Sequence, residues 1–229
     1  MFKKLSIVTC TYNRPKLLRR AIESLRVQTD PDWEHLIYDE GSSTDHVTEV
    51  LAWAMEDPRV RVWRGLVNRD RPALVWNFLL SQARGRYLNT LDDDDEKLPR
   101  FVEGMTKELD QDPLLDLVSC GFVVRTAGEP DWEHHMNLET PSRIEKTSTC
   151  QGGALVFRRE AFVRVGPFSE TIRTNEDWEW LRRASRVLRM KHLPECLMVY
   201  QQHQENRQKR AEALGHTADV DRILNGRVS

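Results

Sequence analysis

Apolar residues in the first half of the chain alternate between short continuous runs and sets at helical spacing. Leu5 to Cys10 is a continuous run that predicts a buried strand. Leu17, Leu18, Ala21, Ile22 and Leu25 then recur at helical spacing across Lys16 to Val27, with Pro15 suited to the first turn. His35 to Tyr38 predicts a second strand, ending at Asp39-Glu40-Gly41-Ser42. A helix from about Thr44 carries Val47, Val50, Leu51 and Ala54 on one face, and Val60 to Trp63 reads as a third strand. Pro72 opens a helix with Leu74, Val75, Phe78, Leu79 and Ala83, and Gly85 is expected to close it in the left-handed conformation. Arg86 to Leu91 predicts a fourth strand running straight into Asp92-Asp93-Asp94-Asp95. Strands alternating with amphipathic helices predict an α/β fold with a mostly parallel sheet.

The second half is less regular. Phe101, Val102, Met105 and Leu109 mark a helix after Pro99, and Leu115 to Val124 a fifth strand. From Arg125 to Thr149 the pattern lapses into a polar stretch, the kind of long irregular segment that often serves as a binding loop or lid. Gly153 to Phe157 reads as a strand, followed by a short helix and the Gly166-Pro167 turn. Asn175 to Arg186 reads as a helix, and Leu188 to Leu193 and Leu197 to Gln201 as separate extended runs. The polar remainder from Gln204 reads as an extension or tail, so the expected division is a domain over residues 1–203 and a tail over 204–229.

Composition narrows the classes. In 229 residues, 34 Lys and Arg stand against 36 Asp and Glu, and 39% of residues are apolar, which excludes a polycationic coat protein and a disordered chain. The 4 cysteines lack metal-finger spacing, so free thiols in a cytoplasmic setting are expected. The basic start and Leu5 to Cys10 imitate a secretory leader, but the run is short and lacks a small-residue cleavage site. No apolar run approaches the roughly 18 residues of a membrane span.

Four adjacent carboxylates repel one another unless a cation or water compensates them. Position favours a cation, because open α/β sheets place ligands at the carboxyl ends of their strands. Oxygen donors with no adjacent histidine or cysteine suit Mg²⁺ or Mn²⁺. A calcium loop of the EF-hand type fails, since Lys97 occupies the glycine position of the turn and Pro99 follows two residues later.

Five motifs in order make a resemblance specific. They are Thr9-Cys10-Thr11-Tyr12-Asn13-Arg14, Asp39-Glu40-Gly41-Ser42, Tyr87 to Asp95 with Pro99, Gly152 to Arg159 with Val165-Gly166-Pro167-Phe168, and Glu176-Asp177. Over roughly residues 5 to 203 the chain resembles family 2 glycosyltransferases of the GT-A fold. The resemblance implies a Rossmann-like three-layer sandwich and transfer of a sugar from a nucleotide-diphosphate donor, a UDP-sugar by preference. It implies Asp94 as ligand of a divalent ion bridging the diphosphate, with Asp92 and Asp93 toward the ribose and metal shell. Thr11, Tyr12 and Arg14 would serve base and phosphate, and Asp39 would bond uracil, although Asp39-Glu40 stands where the family commonly has two aspartates. Arg71 matches a nucleotide-reaching position in some relatives, and an ion pair with Asp70 is its plain alternative. Gly152-Gly153 would let the backbone approach the donor. His203 would complete the metal shell in the manner of some GT-A enzymes.

The resemblance further implies an inverting mechanism with Asp177 as general base and Glu176 as fallback, although both residues also suit the positive end of a helix. Trp132, His134, His135, Trp178 and Trp180 are candidates for an acceptor platform, with at least one of Trp178 and Trp180 expected in the core. Two rivals remain. One is a nucleotidyltransferase, which usually carries a glycine-rich basic loop where this chain has Thr11 to Pro15. The other is a non-catalytic nucleotide- or carbohydrate-binding protein on the same scaffold. The acceptor is left open among glycan, lipid, protein and nucleic acid, as is a homodimer.

Overall fold

The computed structural model describes residues 3–136, 138, 144, 151–203 and 206. The first half follows the hydrophobic pattern closely: β1 (Leu5–Thr11), α1 (Pro15–Arg26), β2 (Trp33–Asp39), α2 (Asp45–Ala54), β3 (Val60–Arg64), α3 (Pro72–Gln82) and β4 (Tyr87–Thr90). The remainder comprises β5 (Glu96–Lys97), α4 (Phe101–Gln111), β6 (Leu117–Thr126), β7 (Trp132–His134), β8 (Leu155–Arg158), α5 (Arg159–Val165), α6 (Glu176–Ala184) and β9 (Met190–Gln202). A tight 3₁₀ turn, Gly152–Ala154, leads into β8, where the sequence pattern suggested that the strand had already begun.

One sheet runs in the order β3-β2-β1-β4-β8-β6-β9-β5, with β7 paired to β6. The β3, β2, β1 and β4 strands are mutually parallel, as are β6 and β9, whereas β5, β7 and β8 run antiparallel to their neighbours. The fold is thus α/β with a mostly parallel sheet. Adjacent strand residues face opposite sides, and β2 shows the consequence: Ile37 enters a smaller core with Leu18, Ile22, Val47 and Leu51, while Leu36 enters the larger core with Leu79, Phe101 and Trp180.

Several expectations are corrected. Gly85 does not take a left-handed conformation; it is needed because a Cβ there would lie 2.5 Å from the Ser6 backbone nitrogen. The two extended runs after Leu188 form one strand, β9, interrupted where Cys120 pairs with Leu193 and Gly121 with Cys196. Pro194 lacks the N–H to continue the ladder, so it and Glu195 bulge outward. The start of the irregular stretch is a hairpin, in which β6 continues to Thr126, the chain turns at Gly128 (φ +84°), and β7 returns with Arg125 paired to Asp131 at 2.8 Å. Most of residues 137–150 and 204–229, including Cys150 and the expected tail, lie outside the described residues.

Candidate active site

β1, β2 and β4 are parallel, so their carboxyl ends open on one side of the sheet. β1 and β4 deliver Thr11, Tyr12 and Arg14 and the aspartate run to a single cleft, lined also by Cys10, Glu40, Gln151, Glu176, Asp177 and Tyr200. Tyr12, which also lines the cleft, is 39% exposed.

The four aspartates are not equivalent. Asp92 is exposed, while Asp93, Asp94 and Asp95 are buried. Asp93 accepts from Thr11 Oγ1 at 2.7 Å and from Arg14 Nη1 at 3.0 Å. Asp94 Oδ2 accepts from Arg14 Nη1 at 2.9 Å and lies 3.1 Å from His203 Nε2. Asp95 accepts from Gln151 Nε2 at 2.6 Å and from the Gln201 backbone N–H at 3.0 Å. The local turn, closed by the Asp95 N–H on the Asp92 carbonyl at 3.2 Å, gathers carboxylate oxygens of Asp92, Asp94 and Asp95 within 4.8 Å of one another.

This crowding has an electrostatic cost. Burial pushes Asp93 up to about 6, with Arg14 working against the shift and Asp94 adding to it. Burial and the neighbouring Asp94 and Asp92 charges hold Asp95 well above the carboxylate range. Burial, then the same carboxylates, raise the Tyr200 phenol. A cluster that resists full ionisation on its own suits a divalent cation, and three carboxylates beside one imidazole suit Mg²⁺ or Mn²⁺. The residues present therefore fit such an ion.

Asp177 stands across the cleft on the first turn of α6. Its Oδ2 accepts from the Gly152 N–H at 2.9 Å and its Oδ1 from the Trp178 N–H at 2.8 Å, so two backbone donors fix its orientation. A Cβ at position 152 would sit 3.1 Å from the Asp177 Cβ, so Gly152 permits this approach. Glu176 is buried beside it, and Asn175, at φ +61°, turns the chain into the helix.

Other sequence-derived candidates lie elsewhere. The Asp39 carboxylate is buried, accepts from the Ser42 N–H at 3.0 Å and hydroxyl at 2.5 Å, and pairs with Arg64 at 3.0 Å; Glu40 lines the cleft instead. Arg71 donates to the Glu170 carbonyl at 2.7 Å rather than lining the cleft. Gly153 lies behind the wall, its carbonyl accepting from Asn89 Nδ2 at 2.9 Å and from Lys97 Nζ. Trp178 and Trp180 are both buried, their indole N–H groups bonded to the Ile144 carbonyl at 2.6 Å and the Gly166 carbonyl at 2.9 Å, so neither offers a face to an acceptor. α6 is covered on two sides, which spacing alone did not reveal. Trp132 is 51% exposed. Sequence reasoning gave no separate place to Asp95, Gln151 or Tyr200; no local signal marks them, because Asp95 meets Gln151 and Gln201 from far along the chain.

A mostly parallel sheet covered by helices, with a carboxylate cluster just past the carboxyl end of the inner strand β4, defines an α/β protein whose candidate site lies at its strand ends. Within that class the chain belongs to Glycosyl transferase family 2, whose family profile matches residues 6–166. It is 29% identical over 220 residues to the uncharacterized glycosyltransferase EpsJ of Bacillus subtilis, covering 89% of this chain and 62% of that one. It is 36% identical over 95 residues to the GalNAc(5)-diNAcBac-PP-undecaprenol beta-1,3-glucosyltransferase of Campylobacter jejuni, covering 42% of this chain and 31% of that one. The chain thus spans less than two thirds of the length of these relatives. Among solved structures, S. aureus TarS 1-349 in complex with UDP-GlcNAc superposes with a TM-score of 0.74 at 18% identity, over 89% of this chain and 60% of that one. The mannosyltransferase PcManGT of Pyrobaculum calidifontis, in complex with GDP-Man and Mn²⁺, gives 0.70 at 21% identity, over 97% and 65%. These likenesses establish the GT-A fold. No helix among the described residues is long and apolar enough to cross a membrane.

Proposed function

We propose that the chain transfers a sugar, with inversion, from a nucleotide-diphosphate donor, preferentially a UDP-sugar, to an acceptor hydroxyl. The observation that carries this reading is the shared cleft: Asp92 and Asp94 line it together with Asp177, which two backbone N–H groups hold in place. Asp92, Asp94 and Asp95, with His203 adjacent, would hold Mn²⁺ or Mg²⁺, which when bound neutralises charge on the donor's diphosphate. Tyr12 presents a ring for stacking on the base, and Arg14, already engaged with Asp93 and Asp94, is placed to follow the phosphates.

Asp177 accepts the proton of the acceptor hydroxyl as that oxygen bonds to the anomeric carbon, and the bond to the diphosphate oxygen breaks with its electron pair leaving on the nucleotide. No covalent enzyme intermediate is required. The complex of TarS with UDP-GlcNAc supports a UDP-sugar, and the Mn²⁺ and GDP-Man complex of PcManGT supports a metal-dependent nucleotide sugar more generally.

The test is a panel of nucleotide sugars assayed for hydrolysis with and without Mn²⁺, alongside UDP binding by thermal shift. Metal-dependent turnover of a UDP-sugar is expected. Asp177→Asn should keep nucleotide binding and lose transfer; full transfer by this variant, or no thermal shift with any nucleoside diphosphate, would overturn the proposal.

A further inference from the structure

β6 is flanked by β7 on one edge and β9 on the other, so these outer strands lie two ladder spacings apart, roughly 10 Å. A side chain on the middle strand would ordinarily separate them. At Gly121 there is none: a Cβ there would come within 2.6 Å of His135 Nδ1 and 2.9 Å of Cys196 Sγ. The bulge at Pro194 and Glu195 sets the register that brings Cys196 opposite this glycine. Glu133 on β7 completes the group, and a Glu133 carboxylate oxygen, a His135 ring nitrogen and Cys196 Sγ lie within 4.8 Å of one another. His135 Nε2 is 3.7 Å from Glu133 Oε2, and the His192 ring packs edge-on against His135 with centroids 5.7 Å apart.

We propose that Glu133, His135 and Cys196 form a second metal site, distinct from the acidic cleft, that takes Zn²⁺ and staples β7 to β9 across Gly121. Ligand chemistry separates the two sites. One thiolate, one imidazole and one carboxylate are the donor types of zinc, whereas the cleft cluster offers chiefly hard oxygens. Glu133 and His135 are exposed and Cys196 is half-buried, so the ion has solvent access and water as a fourth ligand. Binding converts the Cys196 thiol to a zinc-bound thiolate and releases one proton to solvent. The staple would anchor β7, from which the chain runs on to Gln151 in the cleft.

Titration of the metal-free full chain with Co²⁺, a spectroscopic substitute for zinc, tests this. One equivalent should produce a thiolate-to-cobalt charge-transfer band that Zn²⁺ displaces. Cys196→Ser should abolish the band, and His135→Gln and Gly121→Ala should each weaken Zn²⁺ affinity roughly tenfold or more. Asp94→Asn should leave the band intact, which keeps this outcome independent of the fate of the proposed transfer reaction. Absence of a band in the wild-type chain would overturn the proposal. So would a band that survives Cys196→Ser but disappears in Cys10→Ser, since Cys10 lines the cleft. Circular dichroism identifies a variant that fails to fold, in which case His135→Gln decides the question.

Discussion

Between β1, β2 and β4, polar side chains bridge the sheet. Ser6 donates to Glu34 at 2.6 Å and accepts from the Gly85 N–H at 2.7 Å, Glu34 pairs with Arg61 at 2.9 Å, and Thr9 shares a hydrogen bond with His35 at 2.8 Å. Around β8 and α6 the same structural task falls to rings. Phe157, Phe162, Phe168 and Trp180 contact one another with centroids 4.7 to 6.2 Å apart. The parallel half adds directional polar contacts to its apolar cores, and the mixed half adds a cluster of rings to its own, so acid should loosen the first through buried His35, whereas truncation of a ring should loosen the second at any pH.

The cleft stands where the halves meet, and its perturbation carries the largest expected effect. Asp94 touches Arg14 from the parallel half and His203 from the strand end of the mixed half. Asp94→Ala should reduce sugar transfer on the order of 10³-fold and remove the Mn²⁺ dependence of UDP binding, measured by initial rates and calorimetry. Next comes Trp180→Ala, which empties the centre of the ring cluster. A loss of about 3 to 5 kcal/mol is expected, read as a fall in the urea midpoint that is the same at pH 8 and pH 6.

The parallel half is probed through His35. Its pKa is lowered from 6.5 to about 3 by burial, with Asp57 opposing and Lys97 adding to the shift. The unfolded chain therefore takes up a proton near pH 6.5 that the folded chain refuses until about pH 3. The stability contributed by neutral His35 is present above pH 6.5 and is lost as pH falls, at up to about 1.4 kcal/mol per pH unit. Asp93 acts with the opposite sign, because its folded value is raised. The difference between the wild type and His35→Gln therefore isolates the histidine: the variant should lose the acid-dependent component in urea titrations between pH 7 and pH 5. Smallest is Ser6→Ala, which removes the donor to Glu34 and the acceptor of the Gly85 N–H and should cost about 1 to 2 kcal/mol at neutral pH.

The two halves also differed in how far they could be read from sequence. The strands β1, β2 and β3 are each followed by a helix, so Leu5 to Cys10 or Val47 to Ala54 declares its structure within a dozen residues. In the mixed half the information is distant. Glu96 and Lys97 are a strand only because Val199 and Met198 lie beside them, and Pro194 breaks β9 in sequence without breaking it in space. The site divides similarly. The aspartate run and Glu176-Asp177 were visible as motifs. The separate employment of each carboxylate was not, since Arg14, Gln151, Gln201 and His203 decide it from far along the chain. Gly153 and Arg71 matched family positions but are turned to backbone contacts.

The tie between β4 and the 3₁₀ turn before β8 has one more consequence. Asn89 holds the carbonyls of Gly153 and Leu155, Lys97 holds Gly153 as well, and the adjacent Gly152 N–H holds Asp177. The spacing between the aspartate run and Asp177 is thus calibrated within the sheet, by short side-chain links behind the cleft. Mechanically, Asn89 acts as a remote anchor: truncating it would free the turn that carries the Gly152 N–H, and so loosen Asp177, without touching either carboxylate centre.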